Sequence, residues 1–268
     1  MGADVSEVYA RTASAAASFG ADLSAEEMAA LAVKNDMGEA ELAAVACVFD
    51  YLTDKRRQAT IETLLKLSRL PQRDPKTFEN FDFTRIIGKD VAALRKLPSL
   101  ANLHARRNIA FIGPGGIGKT HLAQAYGRQC CLNGYKAYYL KATELKDKLA
   151  RAVKNGDATR VVNMLVKPSC LIIDEVGRCT LDRASTNLFF DIVDRRYEKE
   201  VPNTMILTSN TQVNNWEGFF TGDDTLLCAL DRVFDRASVF IMRGQSFRGT
   251  GLETFTVEAA PQAVKLKS

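Results

Sequence analysis

The sequence predicts an α/β protein in which a parallel sheet lies between two layers of helices, with a helical N-terminal domain before it and no substantial C-terminal lid domain after it. Short apolar runs alternate along the chain with longer stretches of good helix formers, as in parallel sheets flanked by helices. One such run leads into the glycine-rich string GPGGIGKT, and another, CLIID, ends in carboxylates. Both strings are typical of α/β sheets, which place ligand chemistry at the carboxyl ends of their strands.

The first part of the chain, residues 1–54, is an acidic region with two basic and ten acidic side chains and a net charge of −8. Its alanine-rich pattern predicts helices over 5–19, 25–33 and 39–52, and Ser24 with Glu27 fits a capping box. The region is either a small helical domain that docks a partner or a merely solubilising appendage.

The next part, residues 55–107, is a basic segment with thirteen basic and five acidic side chains and a net charge of +8. Its TIETLLKLSRL string predicts an amphipathic helix, with Ile61, Leu64, Leu65 and Leu67 in an apolar stripe, that ends before Pro71. The basic side chains either hold a phosphate backbone or form a solvated basic face. The candidates for DNA contact are Arg56, Arg57, Lys66, Arg69 and Arg73, while Phe78, Phe81 and Phe83 are expected to be core residues.

The glycine-rich string fits the pattern G-x-x-x-x-G-K-[ST] between a predicted strand at 108–113 and a predicted helix at 119–131. We expect its glycines to adopt backbone angles that let successive N–H groups converge on phosphate oxygens. Lys119 would bind the β and γ phosphates of ATP, and the Thr120 hydroxyl would bind Mg²⁺. His121 is expected to pack rather than to catalyse. The predicted cofactor-binding residues here are Gly113, Pro114, Gly115, Gly116, Ile117, Gly118, Lys119, Thr120 and His121.

The remaining elements of the core, which is predicted to occupy residues 108–248, follow in alternation. Strands are predicted at 137–140, 171–174, 205–208 and 239–242, and helices at 143–153, 157–166, 183–197 and 225–234. Asp174, at a strand end, is the predicted Mg²⁺ ligand, and Glu175 the group that polarises an attacking water. Asn210, after the next strand, is a weaker candidate for contact with that water or the γ-phosphate. Residues 249–268 are predicted to be a weakly ordered tail.

Composition excludes several classes of protein. No apolar run approaches the roughly 20 residues that a membrane-spanning helix needs, so no membrane contact is expected. The six cysteines include no C-x-x-C pair and mostly fall in apolar stretches, which indicates reduced thiols in a cytoplasmic protein. With two histidines and no clustered thiols, a zinc site is not expected.

Several strings together resemble one family. GPGGIGKTHLA, CLIIDEVG, RRYE, ILTSN and LDRVFDRASVFIMRGQSFR, preceded by TLLKLSRLP and FENFDF, resemble the IstB-like transposition helpers, which are AAA+ ATPases of the helicase-loader clade. The resemblance runs from about Thr60 to Arg248 and leaves the acidic region without a clear match. It implies a homo-oligomer in which an arginine of one subunit lies beside the γ-phosphate of the next. Arg232 is the candidate for that arginine, and Arg236 and Arg248 are candidates for further phosphate contacts.

The function expected from these residues and this resemblance is ATP hydrolysis, with Mg²⁺, by an oligomer that assembles on duplex DNA and deforms it to help a transposase engage its target. One alternative is a replicative helicase loader of the DnaC or DnaI type. Another is an ATP-gated adaptor with negligible hydrolysis. A P-loop also leaves a small-molecule kinase formally open, but the sequence offers no identifiable acceptor-binding segment.

Overall fold

A computed structural model describes residues 5–86, 90–221, 225–235 and 237–243 and shows a five-stranded parallel sheet. The strands lie side by side in the order β2-β3-β4-β1-β5, so β2 and β5 are the edges. The strands are Ile109–Ile112 (β1), Ala137–Lys141 (β2), Cys170–Val176 (β3), Thr204–Ser209 (β4) and Ser238–Ile241 (β5). All five were predicted from their apolar runs, with ends that differ by one or two residues.

Helices precede the sheet and flank it on both faces. They are Val5–Phe19 (α1), Ala25–Lys34 (α2), Glu39–Leu67 (α3), Val91–Arg95 (α4), Ala101–His104 (α5), Lys119–Leu132 (α6), Ala142–Asn155 (α7), Ala158–Val166 (α8), Arg183–Tyr197 (α9) and Thr225–Phe234 (α10). The predicted α/β fold class is therefore confirmed. The predicted capping box at Ser24 and Glu27 is also present at the start of α2.

Helix α3 differs from the prediction of two separate helices. It runs as one helix from Glu39 to Leu67, across the point between residues 54 and 55 at which the charge of the chain changes sign. The sequence there has neither glycine nor proline, and a change of charge does not interrupt backbone hydrogen bonding. The boundary between the acidic region and the basic segment is a change of charge only, and it does not coincide with a break in secondary structure.

The end of α3 packs on the sheet through only part of the predicted stripe. Leu64 and Leu65 are partly buried against the core, whereas Leu67 is 55% exposed. Beyond the helix, Ser68 is fully buried and its carbonyl accepts a hydrogen bond from the backbone amide of Tyr139, at 2.8 Å. Helix α3 is thereby attached to the edge strand β2.

Each face of the sheet carries its own hydrophobic core. Phe78 and Phe81 of the basic segment are buried in the core that contains α6, and Phe83 is partly buried against it, which confirms their predicted packing role. The second core contains α7, α8 and α9, with Trp216 among its fully buried side chains. The basic segment is thus an integral part of the globular core.

Two features that bear on membrane contact and thiol state concern the described residues only. No helix there combines the length and the apolar character that crossing a membrane requires. The cysteines whose side chains the structure describes, Cys47, Cys130, Cys131, Cys170 and Cys179, form no disulfide.

Candidate functional site

The glycine-rich string joins the carboxyl end of β1 to the first turn of α6, as its motif predicted. Gly116 and Gly118 have left-handed backbones, with φ of 80° and 90°. A Cβ added to Gly113 would lie 2.2 Å from the carbonyl oxygen of Met242, so only glycine fits beside the end of β5. Gly115 differs from the expectation, since its φ is not positive and an added Cβ would meet nothing within 4 Å.

Lys119 lies over the loop that it follows. Its Nζ donates hydrogen bonds to the carbonyl oxygens of Gly113 and Pro114, at 2.8 and 2.7 Å, and the residue is only 7% exposed. A buried ammonium group that bonds two carbonyls keeps a full positive charge near the loop amides. The arrangement suits a polyphosphate anion.

Asp174 is almost completely buried and its carboxylate accepts three hydroxyl donors. Thr120 Oγ1 donates to Oδ1 at 2.8 Å, and Thr208 Oγ1 donates to the same oxygen. Tyr139 Oη donates to Oδ2 at 2.7 Å. The three donors come from α6, β4 and β2, so the carboxylate is fixed from three sides.

Thr120 and Asp174 fit the chemistry of a magnesium site. Mg²⁺ prefers oxygen ligands and is commonly bound through one or two carboxylates together with phosphate oxygens and water. The predicted hydroxyl and carboxylate ligands already lie in contact with each other. The described residues contain no cluster of three or more His, Cys, Asp or Glu side chains that could hold a metal ion.

Glu175 lies at a β-bulge. Between the pairs Ile173↔Leu207 and Val176↔Ser209, β3 has two residues and β4 has one. Glu175 adopts a left-handed backbone, with φ of 61°, which is uncommon outside glycine. Its carboxylate is paired with Arg178 at 2.6 Å and with Lys141 at 3.9 Å. Neither the strained backbone nor these two cations was predicted from the sequence.

One cavity of about 780 Å³ is lined by eight of the predicted nucleotide-site residues. Its lining includes Lys119, Thr120, Glu175 and Asn210, which come from three separate parts of the chain. Asn210 is exposed and directly follows β4. Among the lining residues that were not predicted, four come from FENFDF and its neighbours, which indicated packing alone: Lys76, Asn80, Phe81 and Asp82.

His121 connects α6 to that unpredicted wall of the cavity. One ring nitrogen, Nε2, lies 2.8 Å from the carbonyl oxygen of Thr77, and the ring packs edge-on against Phe81, 5.1 Å between centroids. Burial lowers the pKa of His121, and the hydrogen bond to Thr77 opposes that shift. A half-buried, packed imidazole agrees with the expected structural role, and its place in the lining of the cavity agrees with its position next to the loop.

Arg232 lies on α10, away from the glycine-rich loop of its own chain. It is paired with Asp194 of α9 and lines a smaller cavity, of about 220 Å³, together with Asn108 and Met205. Asn108 precedes β1 and Met205 is near the start of β4, so this cavity is at the amino ends of the strands. The other two candidate arginines, Arg236 and Arg248, lie outside the described residues.

The five candidates for DNA contact fall into two groups. Arg56 donates to the carbonyl of Phe19 at 2.7 Å and stacks on that ring, and Arg69 is paired with Glu144 at 2.7 Å. Both arginines thereby have internal structural contacts. The other three, Arg57, Lys66 and Arg73, are exposed to solvent.

Comparison with known proteins gives a consistent result. The family described as "IstB-like ATP binding protein" matches residues 21–252. The match includes α2 and all of α3, and so begins well before Thr60, where the resemblance was expected to start. A protein of Geobacillus stearothermophilus described as the ATP-binding protein of insertion sequence IS5376 is 40% identical over 72% of this chain and 75% of its own. Its counterpart from IS21 of Pseudomonas aeruginosa is 36% identical over 72% of this chain and 71% of its own.

Solved structures share the core. AMPPCP-bound DnaA from Aquifex aeolicus matches with a TM-score of 0.52 and 26% identity, over 63% of this chain and half (50%) of that chain. The DnaC helicase loader matches with a TM-score of 0.51 and 16% identity, over 63% of this chain and 97% of that chain. The DnaC likeness shows a shared fold.

Proposed function

The chain belongs to the family of IstB-like ATP-binding proteins and has an AAA+ P-loop fold, and from that premise we propose that it hydrolyses ATP while assembled on duplex DNA, which it deforms to help a transposase engage its target. The observation that carries the proposal is the convergence of Lys119, Thr120, Glu175 and Asn210 on one cavity of about 780 Å³, with Asp174 bonded to Thr120 behind it. Phosphate binding, metal binding and attack by water can each be assigned to one of these groups.

Binding of the triphosphate would use the loop and the lysine. The backbone N–H groups around Gly116 and Gly118, together with the amino end of α6, attract phosphate oxygens. The ammonium group of Lys119 adds a full charge beside them. Thr120 and Asp174 would hold Mg²⁺, which, when bound, neutralises negative charge that develops on the phosphates.

Hydrolysis would use Glu175 as the group that orients and polarises the attacking water, with Asn210 as a further contact to the water or the γ-phosphate. In the structure the carboxylate of Glu175 is shared between Arg178 and Lys141. A carboxylate that bonds two cations is a weaker acceptor for a water proton. Productive hydrolysis therefore requires Glu175 to exchange at least one of these contacts for water.

Arg232 would complete the site of a neighbouring subunit. It lies at the amino ends of β1 and β4, whereas the P-loop of the same chain follows the carboxyl end of β1. Its distance from the P-loop of its own chain supports a role in a second copy, where the arginine would neutralise transition-state charge. Hydrolysis then depends on assembly.

Contact with DNA would use the basic segment, and the support for it is charge. The segment carries a net charge of +8, and Arg57, Lys66 and Arg73 are exposed. Phosphate contacts of this kind bind without reading base sequence, and their strength falls with salt.

The test of hydrolysis is the Glu175→Gln variant. We expect it to bind ATP as the unchanged protein does and to lose about 100-fold or more in turnover, because the amide polarises water poorly. Glu198→Gln, an exposed carboxylate at the end of α9, is the matched control and should leave turnover unchanged. Equal turnover in Glu175→Gln and the unchanged protein would instead favour the ATP-gated adaptor.

The test of the arginine in trans is a mixing experiment. Arg232→Ala and Lys119→Ala should each be inactive alone, since one lacks the arginine and the other lacks the phosphate-binding lysine. In a mixed oligomer, an intact Lys119 site can lie beside an intact Arg232, so turnover should return. No recovery at any mixing ratio would exclude the arrangement.

The test of DNA binding is the salt dependence of affinity for a short duplex in the presence of a non-hydrolysable ATP analogue. The combined change of Arg57, Lys66 and Arg73 to alanine should lower the slope of log affinity against log salt by about 3. Arg151→Ala with Lys154→Ala, exposed on α7, should leave the slope unchanged. Capture of a replicative helicase rather than a transposase from a host lysate would favour the loader function.

A further inference from the structure

The side chain of Tyr139 bonds the buried carboxylate of the site from the side opposite to the metal ligand Thr120. Its Oη donates to Oδ2 of Asp174 at 2.7 Å, while Thr120 and Thr208 share Oδ1. Tyr139 does not line the nucleotide cavity, and so lies behind the site. We propose that Tyr139 is a positioning residue, which holds the Asp174 carboxylate in the rotamer that keeps Oδ1 beside Thr120, the residue with which it would hold Mg²⁺.

The hydrogen bond has a fixed direction. The hydroxyl of Tyr139 supplies the hydrogen and the Asp174 carboxylate accepts it. Gln124 of α6, the helix that begins with Lys119, is a second buried side chain beside that hydroxyl.

The backbone of Tyr139 is also fixed, by strand pairing on one side and a hydrogen bond on the other. Its Cα is paired with Ile172 of β3, two residues before Asp174. On its free edge, its amide donates to the carbonyl of Ser68 at the end of α3, at 2.8 Å. Groups that orient a metal ligand act in this way, and their loss typically lowers metal affinity by about 10- to 100-fold.

The experiment is the conservative substitution Tyr139→Phe, which removes one oxygen and keeps the buried ring. Binding of Mn²⁺ to the protein with a non-hydrolysable ATP analogue is measured by electron paramagnetic resonance, together with binding of the analogue alone in a metal chelator. We expect the Kd for Mn²⁺ to rise by about tenfold. Metal-free affinity for the analogue should stay within a factor of about two, since the loop and Lys119 are unchanged.

Tyr138→Phe is the matched control. Tyr138 is the neighbour of Tyr139 on β2, and its ring contacts the guanidinium of Arg69, 5.7 Å from the centroid, rather than Asp174. The same loss of a hydroxyl there should leave the Kd for Mn²⁺ unchanged. A rise of equal size in both variants would mean a general effect on β2 and would overturn the positioning role.

The inference rests on the proposed metal-dependent site, and the two can fail separately. If the unchanged protein binds no Mn²⁺ with the analogue, the proposed site itself is wrong. If the unchanged protein binds Mn²⁺ and Tyr139→Phe binds it equally well, the site stands and the role of Tyr139 is refuted. The melting temperature of each variant is measured without ligand. A value close to that of the unchanged protein shows that the variant is folded, so that the Kd values for Mn²⁺ can be compared.

Discussion

The substitution Thr208→Val tests whether one hydroxyl holds both carboxylate residues of the site. Thr208 Oγ1 donates to Oδ1 of Asp174 and accepts the backbone N–H of Glu175 at 2.9 Å. Thr208 is almost completely buried. Valine has nearly the same shape and no hydroxyl, so the variant removes both hydrogen bonds without creating a large cavity.

The magnitude follows from the two bonds. A hydrogen bond to a charged group contributes about 1.5–3 kcal/mol, and a buried donor left without a partner costs about 1–3 kcal/mol. We therefore expect the free energy of unfolding to fall by about 3 kcal/mol. Turnover should fall as well, because the backbone of Glu175 loses the bond that fixes it beside the cavity.

The assay is urea denaturation of the ligand-free protein, with Thr208→Ser as the matched control. Serine keeps the hydroxyl and lacks one methyl group, so its expected loss is about 1 kcal/mol. If valine is no more destabilising than serine, Thr208 does not hold these two residues and the account of the bulge is wrong. If Thr208→Val is less stable but keeps its turnover, the predicted effect of Thr208 on turnover is refuted.

Two further predictions concern the loop and the surface of the core. Gly113→Ala should lower the free energy of unfolding by about 1–3 kcal/mol, because the added Cβ would meet the carbonyl of Met242 at 2.2 Å. Gly115→Ala, where the Cβ meets nothing within 4 Å, should change it little, and equal stability of the two variants in urea would contradict this reasoning. Burial, and then the nearby Arg196, lower the pKa of Lys199 from 10.5 to about 8. Between these two pH values the unfolded chain therefore binds more protons than the folded chain, and the free energy of unfolding rises with pH. The free energy of unfolding of the unchanged protein, relative to that of Lys199→Met, should thus increase from about pH 8 to pH 10.5. A constant difference over that range would show that Lys199 titrates normally.

The parts of the fold that the sequence predicted correctly depend on local patterns. Each strand is a short apolar run, and the P-loop is recognisable because its glycines, lysine and threonine occur at fixed spacing. The error at α3 has a physical cause too. Its middle, DKRRQAT, differs in charge from what precedes it, but these residues propagate a helix well enough that the chain does not break there.

Several contacts that the sequence could not predict depend on which strands are neighbours. Tyr138 and Tyr139 are equivalent in the string AYYL, and only the pairing of β2 with β3 decides which of them reaches Asp174. The pairing of Glu175 with Arg178 and Lys141 likewise requires the bend of β3 and the end of β2. The wall formed by residues 76–82 comes from a segment whose phenylalanines indicated packing and whose polar side chains had no recognisable spacing.

The bulge in β3 explains how adjacent residues can have different tasks in one site. In a regular strand, successive side chains point to opposite faces of the sheet, so Asp174 and Glu175 would be separated by its thickness. Because both residues lie opposite the single residue Thr208, the strand bends and Glu175 takes its left-handed backbone. Asp174 is then buried against Thr120, while Glu175 lines the cavity. Strain of this kind costs about 1–3 kcal/mol and persists only where the surroundings enforce it. Thr208, which bonds both residues, is one of the groups that surround the bulge in this way.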